Sequence, residues 1–142
     1  MTIDSIKQIF SEETIKQILP DNLADQFFDA LYGDPAEGAY EIGLVFKDQK
    51  ENTLTFEFHL TQRPGKCLRC NLTYGLPEVF SRHPLINVKG LVAKIDAQLN
   101  GQGKCVDWRL GQTIEISNTL YIIPLIINLD IFFFKQKTAY EI

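Results

Sequence analysis

The sequence predicts a single α+β domain, with N-terminal helices packed on an antiparallel β-sheet. Three observations predict it. Apolar residues recur at helical spacing through the N-terminal third and again in a helix at about 88–99. Two period-two runs make a β-hairpin at about 39–62. Helices and strands also come in blocks, without a repeated βαβ order.

Each element has a local reason. Asp4 can cap a short turn carrying Ile6, Ile9 and Phe10. Ser11 before Glu12 and Glu13 is a good N-cap followed by first-turn acids. That helix carries Ile15, Ile18 and Leu19 and stops at Pro20. Asp21 caps a third helix whose apolar face is Leu23, Phe27, Ala30 and Leu31, and Gly33 ends it. Asp34–Gly38 is a loop. Tyr40, Ile42, Leu44 and Phe46 then alternate with Glu41, Gly43, Val45 and Lys47, and Leu54, Phe56, Phe58 and Leu60 alternate with polar residues. The polar stretch Asp48–Asn52 joins the two runs. One face of this hairpin must be dry, and burying each large side chain there contributes ~1.5–3 kcal/mol. Residues 63–87 read as irregular, with one turn of helix at Glu78–Arg82. Asn87 caps a helix carrying Val88, Leu91, Val92, Ile95 and Leu99, closed by Asn100 and Gly101. Strands follow at about Cys105–Leu110, Thr113–Ser117 and Thr119–Ile127, with Trp108 as a core anchor alternating with Val106 and Leu110. Their pairing is open.

The 142 residues suffice for one domain, and 45% hydrophobic with 23% charged residues is a globular composition. The first ten residues lack a basic region followed by an apolar run, so no signal peptide is expected. The longest apolar stretch, Leu120–Phe134, is interrupted by Pro124, Asn128 and Asp130. It falls short of the ~20 residues of a membrane span. A cytoplasmic location with reduced thiols is the default, and an odd count of three cysteines fits it. Net charge is −4 but uneven: −7 over residues 1–51, +4 over 52–111 and −1 beyond. The acidic balance argues against nonspecific nucleic-acid binding, while the basic middle leaves room for a local anion site.

The chemistry-bearing stretch is Arg63–Pro77. Arg63, Lys66, Arg69 and Arg82 are anion-binding candidates for an anionic small molecule or an acidic peptide. Cys67 and Cys70, two residues apart, can chelate one metal or close a disulfide. Zinc needs two further ligands, and His83 and Cys105 are the candidates. The first pair has metal-site spacing, but the second half is scattered. A redox pair is the other reading, because Lys66 and Arg69 would favour thiolate. Gly75 and Pro77 leave little room for the helix that thioredoxin-like chemistry wants after its first cysteine. The expectation is therefore ordinary thiols in a structured loop, without stoichiometric metal. His59 beside Glu57 could be an oriented base, but both fall on the hairpin's polar face, where a surface histidine is the simpler reading. No phosphate loop, nucleophile elbow or His-Glu-x-x-His site is present.

The run RPGKCLRCNLTYGLPEVFSRHPLINVKGLV, Arg63–Val92, resembles an uncharacterised bacterial protein family. Its members often carry the label "pancreas/duodenum homeobox protein". That label does not suit this chain. A homeodomain needs a basic recognition helix with a Trp-Phe-x-Asn-x-Arg core, and the only tryptophan here stands in Trp108-Arg109-Leu110. The resemblance implies no activity, cofactor or catalytic residue. Three functions stay open: a non-catalytic binding or interaction domain, which is favoured; a metal- or thiol-dependent protein using Cys67 and Cys70; and an enzyme acting on an anionic small molecule.

The tail is read apart from the domain, which spans residues 1–131. Lys135–Glu141 matches the translation of a widely used sequencing-adapter oligonucleotide, and residues 132–142 are set aside as adapter-derived. Such a tail was never selected to pack. A chain ending at Ile131 should therefore unfold thermally with a stability within ~1 kcal/mol of the full chain; a larger loss would make the tail structural.

Overall fold

Ser11 and Gly33 bracket the second and third helices. The computed structural model describes residues 3–72, 75–101 and 103–130. The expectation for residues 132–142 lies outside them. Helix α1 runs Ile3–Ile9, α2 Glu12–Ile18 and α3 Leu23–Tyr32. Asp4 falls inside α1, so it is not that helix's cap. Ser11 does cap α2, its hydroxyl accepting from the Thr14 N–H at 3.4 Å. Asn22 occupies the cap position of α3 in place of Asp21, and its side chain accepts from Gln26 instead of a backbone N–H. Gly33 ends α3 with φ 76°, the left-handed cap that glycine takes without strain.

The buried face of α3 is Leu23, Ala24, Phe27 and Phe28, not the expected set. Leu31 is 47% exposed. Phe28 turns inward because Gly38, just past a short 3-10 turn at Pro35–Glu37, offers no side chain. A Cβ on Gly38 would stand 2.0 Å from the Phe28 ring.

Strands β1 (Tyr40–Lys50) and β2 (Thr53–Gln62) form the expected hairpin. The polar residues Asp48–Lys50 pair as strand, so the connection shrinks to Glu51-Asn52, with Glu51 at φ 54°. A register shift between Phe46 and Asp48 leaves Lys47 as an extra residue. Beyond the hairpin, two helices occupy a segment expected to be irregular apart from one turn, and the second contains that expected turn at Glu78–Arg82. These are α4 (Leu68–Asn71) and α5 (Leu76–Arg82). Pro77 sits in the first turn of α5, where its missing N–H costs nothing. Helix α6 spans Val88–Leu99, with the Asn87 side chain accepting from Gly90 N–H at 3.2 Å. Strands β3 (Cys105–Leu110), β4 (Ile114–Ser117) and β5 (Leu120–Leu129) complete the chain.

The sheet is antiparallel in the order β1-β2-β5-β3, with β4 also on β5. Strands β3 and β4 share one edge of β5, β3 against Leu125–Leu129 and β4 against Leu120–Ile122. Pro124 lies opposite the break between them, where its carbonyl accepts from Gly111 N–H at 2.8 Å. Its missing N–H points at the same break, which is how an inner strand tolerates proline. A register shift between Cys105 and Asp107 turns Val106 outward, so Val106 is 59% exposed while Trp108 and Leu110 pack on the core.

All helices cover one face of the sheet. Leu54, Phe56, Phe58 and Leu60 are fully buried, as are Ile123, Leu125 and Ile127 beside them. Phe10 meets Phe56 edge-on at 5.0 Å, Phe80 meets Phe58 at 5.5 Å, and Phe27 meets Phe80 at 5.8 Å. Phe56→Ala should destabilise the domain by ~3–5 kcal/mol in chemical denaturation. A loss under ~1 kcal/mol would mean that Phe56 does not hold this cluster together.

Candidate functional site

The loop after β2 begins with an arginine that the fold uses internally. The Arg63 Nε–H donates to Glu41 on β1 at 2.6 Å. Its two amino groups donate to Asp25 on α3 at 2.7 Å and to the carbonyls of Pro35 and Gly38 at 2.7 and 3.3 Å. The guanidinium also stands 5.5 Å from the centre of the Phe28 ring. Arg63 thus ties α3, the 3-10 turn and β1 together. Arg69 is likewise engaged, donating to the Tyr121 hydroxyl at 3.2 Å and to the Glu115 carboxylate. Lys66 and Arg82 are exposed and have no ion-pair partner among the described residues. Two of the four candidate anion ligands therefore already hold internal partners.

The candidate metal ligands are not gathered. Cys67 and Cys70 are bonded to each other, their Cα atoms 5.4 Å apart. The expected free thiols are replaced here by a disulfide, because Cys67 caps the turn of α4 and brings Cys70 within bridging reach. The His83 ring packs edge-on against Phe27 at 4.9 Å, and its Nδ1 accepts from Leu85 N–H at 3.2 Å. Cys105 lies on β3, where its N–H donates to Asp96 at 2.7 Å. Burial first, then the Asp96 carboxylate, pushes the Cys105 thiol up to about 12. Among the described residues no three His, Cys, Asp or Glu side chains come together as for a metal ion.

Glu57 and His59 do face away from the core, but they are less wet than the alternation suggests. Their side chains are 14% and 29% exposed. His59 Nε2 and Glu57 Oε1 are 3.1 Å apart, and Lys47 Nζ is 3.7 Å from the other carboxylate oxygen. Val45 and Pro124 flank Glu57 in register, while Gly43 and Ile122 flank His59. The apolar neighbours account for the partial burial.

A second site was not legible in the sequence. Strand β1 ends the sheet, and between its open edge and α2 lies a groove of about 400 Å³. Phe10, Ile15, Leu19, Ile42 and Leu44 line it, with Glu12, Lys16 and Asp21 also in the lining. The hydrogen-bond phase of β1 follows from its start. Arg63 N–H donates to the Ala39 carbonyl at 2.9 Å, and Gln62 N–H donates away from β1, to Thr119. Backbone direction alternates along an antiparallel strand. Glu41, Gly43 and Val45 therefore bond to β2, while Ile42 and Leu44 aim N–H and C=O into the groove. Among the described residues no backbone partner meets them there. The only sequence signal is the excess of acids over residues 1–51, which says nothing about which strand ends the sheet.

Comparison with family models, curated proteins and solved structures finds no match in any of the three. No helix among the described residues is long and apolar enough to cross a membrane.

The arginine tie can be tested directly. Arg63→Ala should lower unfolding stability by about 2–3 kcal/mol, the scale of hydrogen bonds to a charged group. Arg63→Lys should recover only part of it, since an ammonium lacks the planar fork. A neutral Arg63→Ala would return this side chain to the pool of anion ligands.

Proposed function

We propose that this domain is a non-catalytic interaction module that captures an extended peptide by strand addition to β1. The observation that carries the reading is the row of unpaired backbone groups on Ile42 and Leu44 beside an apolar groove. Unpaired strand groups are matched best by another backbone, and alternate side chains of the added strand would enter the groove. The stretch that builds this site, residues 1–51, carries a net charge of −7. A peptide with alternate apolar residues and basic flanks is the complementary partner. The alternative of an enzyme acting on an anionic small molecule has weaker support, because Arg63 and Arg69 already hold carboxylates.

Amide hydrogen exchange distinguishes this mode from simple apolar docking. Binding of a lysine-flanked peptide of alternating apolar residues should slow exchange at Ile42 and Leu44, and leave Gly43 and Val45 unchanged. Ile15→Lys should weaken the same peptide at least tenfold in fluorescence anisotropy, about 1.4 kcal/mol. Glutamate flanks should weaken it too, with the difference shrinking as salt rises. Protection at Ile42 and Leu44 in the free protein, accompanied by a dimeric elution volume, would instead assign the edge to a second copy and overturn the proposal. So would binding without added protection there.

A further inference from the structure

The bridge between Cys67 and Cys70 has little to do as a staple. It spans two intervening residues, and short closed loops constrain the unfolded chain least. The segment is fastened by other means. Leu68 is fully buried, and its N–H donates to the Gln62 side chain at 3.1 Å. The Asn71 side chain donates to the Cys67 carbonyl at 2.7 Å. Arg69 reaches across to Tyr121 on β5 and Glu115 on β4. These contacts would keep the two cysteines adjacent with the bridge open. Both cysteine residues are exposed, so a nucleophile can reach the sulfurs.

We propose that Cys67 and Cys70 form a thiol–disulfide exchange site for a dithiol reductant, protein or small molecule. The geometry distinguishes the two sulfurs. Cys70 N–H donates to Cys67 Sγ at 3.2 Å. A hydrogen bond to the charged form favours it, so Cys67 is the better leaving thiolate. Exposed Lys66 adds a nearby positive charge. The reductant thiolate attacks Cys70 Sγ, the bond between the cysteines breaks, and its electron pair leaves on Cys67 Sγ. A mixed disulfide joins Cys70 to the reductant. The reductant's second thiol, deprotonated, attacks its own sulfur in that bond and releases the Cys70 thiolate. Two electrons and two protons pass to the pair, and the dithiol becomes a disulfide. The reverse course restores the bridge. Cys105 takes no part, since it is half-buried beside Asp96 and its thiolate is disfavoured.

The test uses the full chain equilibrated in mixtures of oxidised and reduced dithiothreitol, quenched in acid and labelled with a maleimide. Mass spectrometry should show one transition that adds two labels, mapped to Cys67 and Cys70, while far-UV circular dichroism stays constant. At pH 7, Cys67 in Cys70→Ser should alkylate roughly tenfold faster than Cys70 in Cys67→Ser. The wild-type titration stands alone if either variant misfolds. A bridge that opens only as the domain unfolds would overturn the proposal. So would purified protein holding one zinc on unbridged Cys67 and Cys70. Equal or inverted alkylation rates would overturn the assignment of Cys67 as the leaving group.

Discussion

Phe56 and Phe58 are where the helical layer meets the sheet. They sit two residues apart on β2, so both point to the same face, and both are fully buried. Phe10 reaches Phe56 from the end of α1, and Phe80 reaches Phe58 from α5. Phe27 of α3 then closes on Phe80. Three helices distant in sequence are therefore oriented by one pair of rings. Edge-on contacts of this kind add to the hydrophobic gain and favour particular ring angles. Because β2 is an inner strand, its register is held from both sides, by β1 and by β5. A slip of one residue would expose both rings and bury Glu57 and His59.

The two candidate sites follow from this arrangement in opposite ways. Helix α2 lies over the β1 end of the sheet without covering its edge, and the groove is the space left over. It exists because the fold pairs β2 with β5, which leaves β1 at the end of the sheet. The cysteine loop is instead suspended from β2 and pinned to β5 and β4 through Arg69. Arg63 serves the fold itself. Its bonds to Asp25 and Glu41 hold α3 against β1, and Phe28 can stack near it only because Gly38 lacks a side chain. An arginine that looks like an anion ligand in the sequence is thus a structural tie.

Local chemistry was readable where the chain answers to its immediate neighbours. Ser11 capped its helix, Gly33 ended α3, Asn87 capped α6, and the alternation of Leu54–Leu60 identified the dry face. Local pattern gives way where a distant partner decides. Phe28 displaced Ala30 and Leu31 from the buried face because Gly38 and Arg63 offered it a place. Pro77 and Gly75 read as breakers, yet together they start α5, with Gly75 supplying a left-handed cap and Pro77 a first-turn position. Val106 turned outward through a bulge that only the pairing with β5 reveals.

The sequence by itself determined the α+β class, the hairpin with its buried face and the long helix at 88–99, because periodicity and capping act within a few residues. It also singled out Cys67 and Cys70 as a closely spaced pair able to close a disulfide. Tertiary structure decided that these two bond to each other while His83 and Cys105 go elsewhere. It decided that Arg63 and Arg69 face carboxylates, and that β1 presents the backbone of Ile42 and Leu44 to an open groove. Strand order and side-chain partners are set by contacts between residues far apart in the chain, and no local spacing encodes which of several compatible pairings buries the most apolar surface.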